Sequence, residues 1–140
     1  MAHSIVRNWL HVVFGTKYRE AQIIPTIEGK VHQILFRQLI QMGAYVEAVN
    51  GMPDHIHILF LLPPDKCLSE IIRHLKGGSS HEINRLNLLE EKFAWQTGYW
   101  ASSVSESKVQ VVKKYIERQK EHHSARDWDA ELAWLSNTRG

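Results

Sequence analysis

Residues 9–17 alternate with a strand period, Leu10, Val12 and Phe14 falling on one face and Trp9, His11 and Val13 on the other. Beyond Pro25 the period lengthens. Ile27, Val31, Ile34, Leu35, Leu39 and Met42 recur at helical spacing, with Thr26 placed to cap the start and Gly43 where a helix stops. Residues 45–50 and 55–62 then form two extended runs around Gly51-Met52-Pro53-Asp54, a β-hairpin closed by Pro63-Pro64. Ser69 is placed to cap a second helix through Ile71, Ile72 and Leu75, interrupted at Gly77-Gly78 and resuming through Ile83 and Leu86. Residues 93–104 predict another strand. Ser103 or Ser105 opens a last long helix reaching His123, and an amphipathic piece around Trp128, Leu132 and Leu135 follows.

The order β-α-β-β-α-β followed by a helix predicts an α+β fold. It is the split βαβ, or ferredoxin-like, arrangement: an antiparallel sheet with two helices on one face, plus a C-terminal helix. This superfold hosts many activities, so the site must decide among them. The 140 residues, 44% hydrophobic and 23% charged, predict one globular domain spanning 1–140. A net charge of +2 excludes a histone-like basic profile. The single Cys67 excludes an internal disulfide and a finger-type zinc site. No run of about 18 apolar residues occurs, so neither a membrane span nor a secretory signal is expected, and the expected location is the cytoplasm.

Two constellations carry candidate chemistry. In His55-Ile56-His57 the strand period sends both imidazoles to the same face, a spacing at which they can share a metal. An isolated His-x-His is as often a pair of satisfied surface histidines. In this chain the following Ile58-Leu59-Phe60-Leu61-Leu62 is apolar on both faces, so the strand is expected to be buried and its imidazoles to need partners or a ligand. Asp54 is either an acceptor for them or simply a turn residue. On the last helix Val109, Val112 and Ile116 make a core stripe, and Val111, Tyr115, Gln119 and His122 a neighbouring one that puts Tyr115 and Gln119 one turn apart. The bland alternative makes Tyr115 a boundary aromatic and Gln119 a solvated helix former. Lys113, Lys114, Arg118 and Lys120 then only solubilise the helix. The functional alternative makes them a basic surface that holds a phosphodiester beside a phenol.

Five ordered segments carry a resemblance over most of the chain. They are residues 11–19 (HVVFGTKYR), Met52-Pro53-Asp54-His55-Ile56-His57, Leu75-Lys76-Gly77-Gly78-Ser79-Ser80, residues 98–107 with Gly98-Tyr99-Trp100, and Tyr115-Ile116-x-x-Gln119-x-x-His122-His123. Together they resemble the single-tyrosine HUH transposases of bacterial insertion sequences, to which the REP-associated tyrosine transposases are related. The short ending favours the compact insertion-sequence type. The resemblance implies cleavage and rejoining of single-stranded DNA, with Tyr115 attacking a phosphodiester to give a 5′-phosphotyrosine link and a free 3′-hydroxyl. It implies that His55, His57 and Gln119 hold a divalent ion, Mg²⁺ or Mn²⁺, and that the ion, a water or a cation such as Lys114 assists the phenol. It also implies hairpin-ended DNA as partner, contacted by Arg7, Lys17 and Arg19 and by the Lys113, Lys114 and Arg118 face. The expected assembly is a homodimer, with the tyrosine helix completing the site in cis or in trans. Two other readings stay open: a domesticated relative that binds hairpins without cutting, and a hydrolytic metal enzyme built on His55 and His57.

Overall fold

A computed structural model describes residues 4–122; His123 and the amphipathic piece at 128–135 lie outside the described residues. The elements run β1 (Trp9–Gly15), α1 (Pro25–Gln41), β2 (Tyr45–Met52), β3 (His55–Leu61), α2 (Leu68–Arg85), β4 (Trp100–Val104), α3 (Val109–Glu117) and the single turn α4 (Gln119–His122). The strands pair in the order β2-β3-β1-β4, each pairing antiparallel, so β3 lies between β2 and β1 as the split βαβ expectation requires.

Both faces of the sheet are covered, which is why β3 is buried at every position but Leu61. Leu10, Val12, Phe14, Ile56, Ile58 and Phe60 point toward α1 and α2, where they meet Val31, Leu35, Leu39, Ile72 and Leu75. Trp9, Leu59 and Val104 on the opposite face pack with Val109, Val112, Tyr115 and Ile116 of α3. Each such side chain contributes about 1.5–3 kcal/mol relative to its exposed state.

Several local expectations are corrected. β1 ends at Gly15, and residues 17–19 turn sharply, with Tyr18 and Arg19 both in the left-handed region (φ 58° and 56°). α1 begins at Pro25, with Ile24 at the cap position and no side-chain cap, so Thr26 lies within the first turn, where proline's fixed φ already suits the helix. Gly43 takes φ +93°, as a helix-stopping glycine should. α2 starts at Leu68 after Cys67, not from a Ser69 cap, and runs unbroken through Gly77-Gly78. Gly78 is small because the Gln38 side chain of α1 rests on it, 2.8 Å from where a Cβ would stand.

The expected strand over 93–104 shortens to β4. Its first part is irregular, held by Asn84 bonds to both backbone groups of Phe93 and by one bridge between Thr16 and Trp95. The last helix also departs from expectation. Ser105 leads into a short 3-10 turn, α3 begins at Val109, and the chain breaks at Arg118 (φ −103°, ψ 27°) before α4.

Candidate active site

Strand alternation on β3 sends His55 and His57 to the α3 side, where both are fully buried. Each Nδ1 has a polar partner. His55 Nδ1 lies 2.8 Å from Asp54 Oδ1, and His57 Nδ1 lies 2.8 Å from Nε2 of His11, a buried residue of β1. Asp54 is braced in turn by Arg19, whose Nη2 and Nε donate to Oδ2 at 2.8 and 3.2 Å. Burial pushes the Asp54 carboxyl up, but His55 and Arg19 outweigh it and hold the carboxyl down at about 2. A carboxylate on Nδ1 fixes the ring and leaves Nε2 as its lone-pair nitrogen.

The helix side brings the other two groups. Tyr115 is only 6% exposed, its ring edge-to-face with His57 at a centroid separation of 5.8 Å. Gln119 is fully buried, and its Oε1 lies 3.4 Å from His55 Nε2. The turn that carries Gln119 is fastened to β2: Asn50 Nδ2 donates to the carbonyls of Ile116 (3.0 Å) and Glu117 (3.3 Å), and Lys120 Nζ to the carbonyl of Gly51 (2.7 Å). These fastenings hold Gln119 over the histidines despite the helix break. Val111, placed by spacing on the same stripe, is 62% exposed, while Tyr115 and Gln119 of that stripe are buried.

Tyr115, His55, His57 and Gln119 therefore converge within one chain. His55 Nε2 and Gln119 Oε1 face each other at 3.4 Å, joined by a hydrogen bond when Nε2 carries a proton and placed to share a cation when it does not. The donor set of two imidazoles and an amide oxygen fits a divalent ion of the Mg²⁺ or Mn²⁺ kind. Among the described residues no three His, Cys, Asp or Glu side chains form a group that could hold a metal ion, so a site here would need the Gln119 amide as well as the imidazoles.

The proposed basic contacts are not a free cationic strip. Arg7 pairs with Glu106 (Nε to Oε1, 2.6 Å), which holds that carboxyl below its ordinary range through the Arg7 hydrogen bond first. Arg19 pairs with Asp54, Lys113 with Glu47 at 3.9 Å, and Arg118 with Glu121 at 3.9 Å. Lys17 and Lys114 are exposed, Lys17 lying over the Tyr18 ring. Lys114 is on the solvent side of α3 while Tyr115 faces the sheet, so the imidazole packed on the phenol is His57. Sequence reasoning missed His11, Asn50 and the work of Arg19. His11 shares a face with Trp9 and Val13 in the strand pattern, but only strand pairing reveals that this face meets His57.

The family profile described as "Transposase IS200 like" matches residues 4–119. This chain belongs to the IS200-like transposase family. It is 29% identical to the ISDra2 transposase TnpA of Deinococcus radiodurans over 114 residues, covering 78% of this chain and 81% of that protein. It is 27% identical to the transposase for insertion sequence element IS200 of Salmonella typhimurium over 126 residues, 86% of this chain and 82% of the relative. A crystal structure assigned as a transposase from Deinococcus radiodurans matches this transposase with a TM-score of 0.67 at 25% identity, over 85% of this chain and 96% of that one. The REP-associated tyrosine transposase bound to a REP hairpin shares the fold at 17% identity, with a TM-score of 0.65, over 88% of this chain and 73% of its own. The transposase family expected from the motifs and the α+β fold expected from the order of elements are thus borne out.

Proposed function

We propose that this transposase cleaves and rejoins single-stranded DNA at hairpin-bearing insertion-sequence ends through a 5′-phosphotyrosine intermediate. The observation that carries this reading is the Tyr115 ring on His57 beside the facing His55 Nε2 and Gln119 Oε1. In cleavage the Tyr115 oxygen bonds to phosphorus and the bond to the 3′ oxygen breaks. The proton given up by the phenol balances the one gained by the 3′-hydroxyl. Joining reverses the step: a 3′-hydroxyl attacks the phosphotyrosine and frees Tyr115, so the energy of the broken bond is conserved in the covalent link. His55 and His57, through Nε2, and Gln119, through Oε1, are the groups that would hold Mg²⁺ or Mn²⁺. Three neutral ligands leave such an ion its full charge, and when bound it polarises the phosphate and stabilises charge on the departing oxygen. Asp54 and Arg19 keep the His55 ring in place, and the α3 packing keeps the phenol against His57. Exposed Lys17 and Lys114 are available to DNA phosphates. A homodimer belongs to the same reading.

Labelled single-stranded DNA carrying a hairpin-bearing element end, incubated with protein and Mn²⁺, tests the proposal on a denaturing gel. Wild type is expected to give a denaturation-resistant adduct that is absent in Tyr115→Phe and absent after chelation. His57→Ala is expected to lose cleavage and keep hairpin binding. An adduct persisting in Tyr115→Phe removes the tyrosine as nucleophile, and hairpin binding by wild type with no adduct turns the reading to a binding module.

A further inference from the structure

His11 lies in the middle of β1, opposite Leu59 on β3 and Ser102 on β4, and is fully buried. Its Nε2 is 2.8 Å from Nδ1 of His57, a diagonal pairing across two strands, with the rings tilted by 32° and 5.0 Å apart. Trp100 of β4 stands edge-on to it at 5.2 Å, fixing the ring in the sheet face. No step of the proposed chemistry uses this imidazole.

A neutral imidazole has one N–H and one lone pair, so a nitrogen-to-nitrogen contact of 2.8 Å needs its proton on one partner or the other. With the proton on His11, His57 carries its own at Nε2 and has no lone pair to offer the Gln119 side. With the proton on His57 Nδ1, the lone pair of His57 lies on Nε2. The neighbouring histidine is arranged in the second way, since its Nδ1 faces the Asp54 carboxylate, which can only accept.

We propose that His11 is a positioning residue: it accepts the Nδ1–H of His57 and so holds His57 with its Nε2 lone pair presented to a divalent cation. The inference deepens the metal reading above and rests on it. Each of the two candidate ligand imidazoles then has its own Nδ1 acceptor, a carboxylate for His55 and an imidazole for His57. Acceptors of this kind fix a ligand's tautomer and orientation, and their loss typically weakens metal binding about 10–100-fold.

The test begins with metal-free protein labelled with ¹⁵N on its histidine rings, read by two-bond ¹H–¹⁵N correlation. Wild type is expected to show His57 as the Nδ1–H tautomer. His11→Phe keeps an aromatic ring in the core but offers no acceptor, and is expected to move His57 toward Nε2–H. His11→Gln, whose amide oxygen accepts, is expected to restore Nδ1–H. Mn²⁺ affinity, followed through the resonance signal of free Mn²⁺, should fall about 10–100-fold in His11→Phe and recover in His11→Gln. If His11→Phe does not fold, the wild-type spectrum decides alone, because Nε2–H on His57 there overturns the proposal. An unchanged His57 tautomer in folded His11→Phe, with Mn²⁺ binding lost in His57→Ala, strikes only the role of His11. Mn²⁺ binding unaffected by His57→Ala strikes the metal reading beneath it.

Discussion

Asn50 links the sheet to the helix that carries Tyr115, and its replacement separates the effect of that link from chemistry. It stands on β2 opposite His57, and its amide donates to the Ile116 and Glu117 carbonyls at the end of α3, where helical partners run out. The 3.0 Å bond is partly buried and contributes about 1 kcal/mol; the 3.3 Å bond to an exposed carbonyl adds about 0.5 kcal/mol. Asn50→Ala should therefore cost about 1.5 kcal/mol, lowering Tm by about 5 °C in a chain of this size. Asn50→Asp keeps the shape but turns a donor into a carboxylate pressed on carbonyl oxygens at the negative end of the helix, raising the loss to about 2–2.5 kcal/mol. Urea unfolding followed by circular dichroism gives the order wild type, Ala, Asp in falling midpoint at constant slope. DNA cleavage should fall in both variants, because the turn carrying Gln119 loses one of its two anchors and keeps only the Lys120 bond to Gly51. An Asp variant as stable as wild type, or more stable than the Ala variant, refutes the donor assignment and with it the reason Gln119 sits where it does.

Four further perturbations probe other joints. Gly51→Ala puts a methyl 2.2 Å from the His55 carbonyl oxygen and 2.9 Å from Ile56 Cα, so a loss of about 3 kcal/mol or more is expected in urea unfolding. Gly29→Ala, where a Cβ meets nothing within 4 Å, should instead gain up to about 1 kcal/mol in the same assay. Tyr18→Asn swaps a bulky left-handed residue for one that tolerates φ 58°, and calorimetry should show a stabilisation of about 0.5–1 kcal/mol; a loss contradicts the strain. Arg19→Ala should weaken Mn²⁺ binding several-fold by unbracing Asp54 while leaving hairpin affinity close to wild type; the reverse pattern in paired metal and DNA titrations restores Arg19 as a DNA contact.

Much of the site was legible because it rests on local periods. Strand alternation alone aligned His55 with His57, and helical spacing put Tyr115 and Gln119 one turn apart, although the helix breaks between them at Arg118. The glycines misled where their reason lay elsewhere: Gly77-Gly78 looked like a break, yet Gly78 serves a crossing between α1 and α2 that no local signal encodes. Arg7 and Arg19 looked like free cations because their partners, Glu106 and Asp54, are 99 and 35 residues away.

By itself the sequence determined the order of elements, the ferredoxin-like class, the family and the two same-face pairs, all properties that depend on residues within a few positions of one another or on ordered motifs. Only the tertiary structure decided that the two pairs meet. Covering both faces of β3 requires α3 to lie on the histidine side, and Asn50 and Lys120 then fasten its end there. It also decided that β1, paired against β3, brings His11 to His57, a contact between residues 46 apart that exists only once the sheet has formed its register.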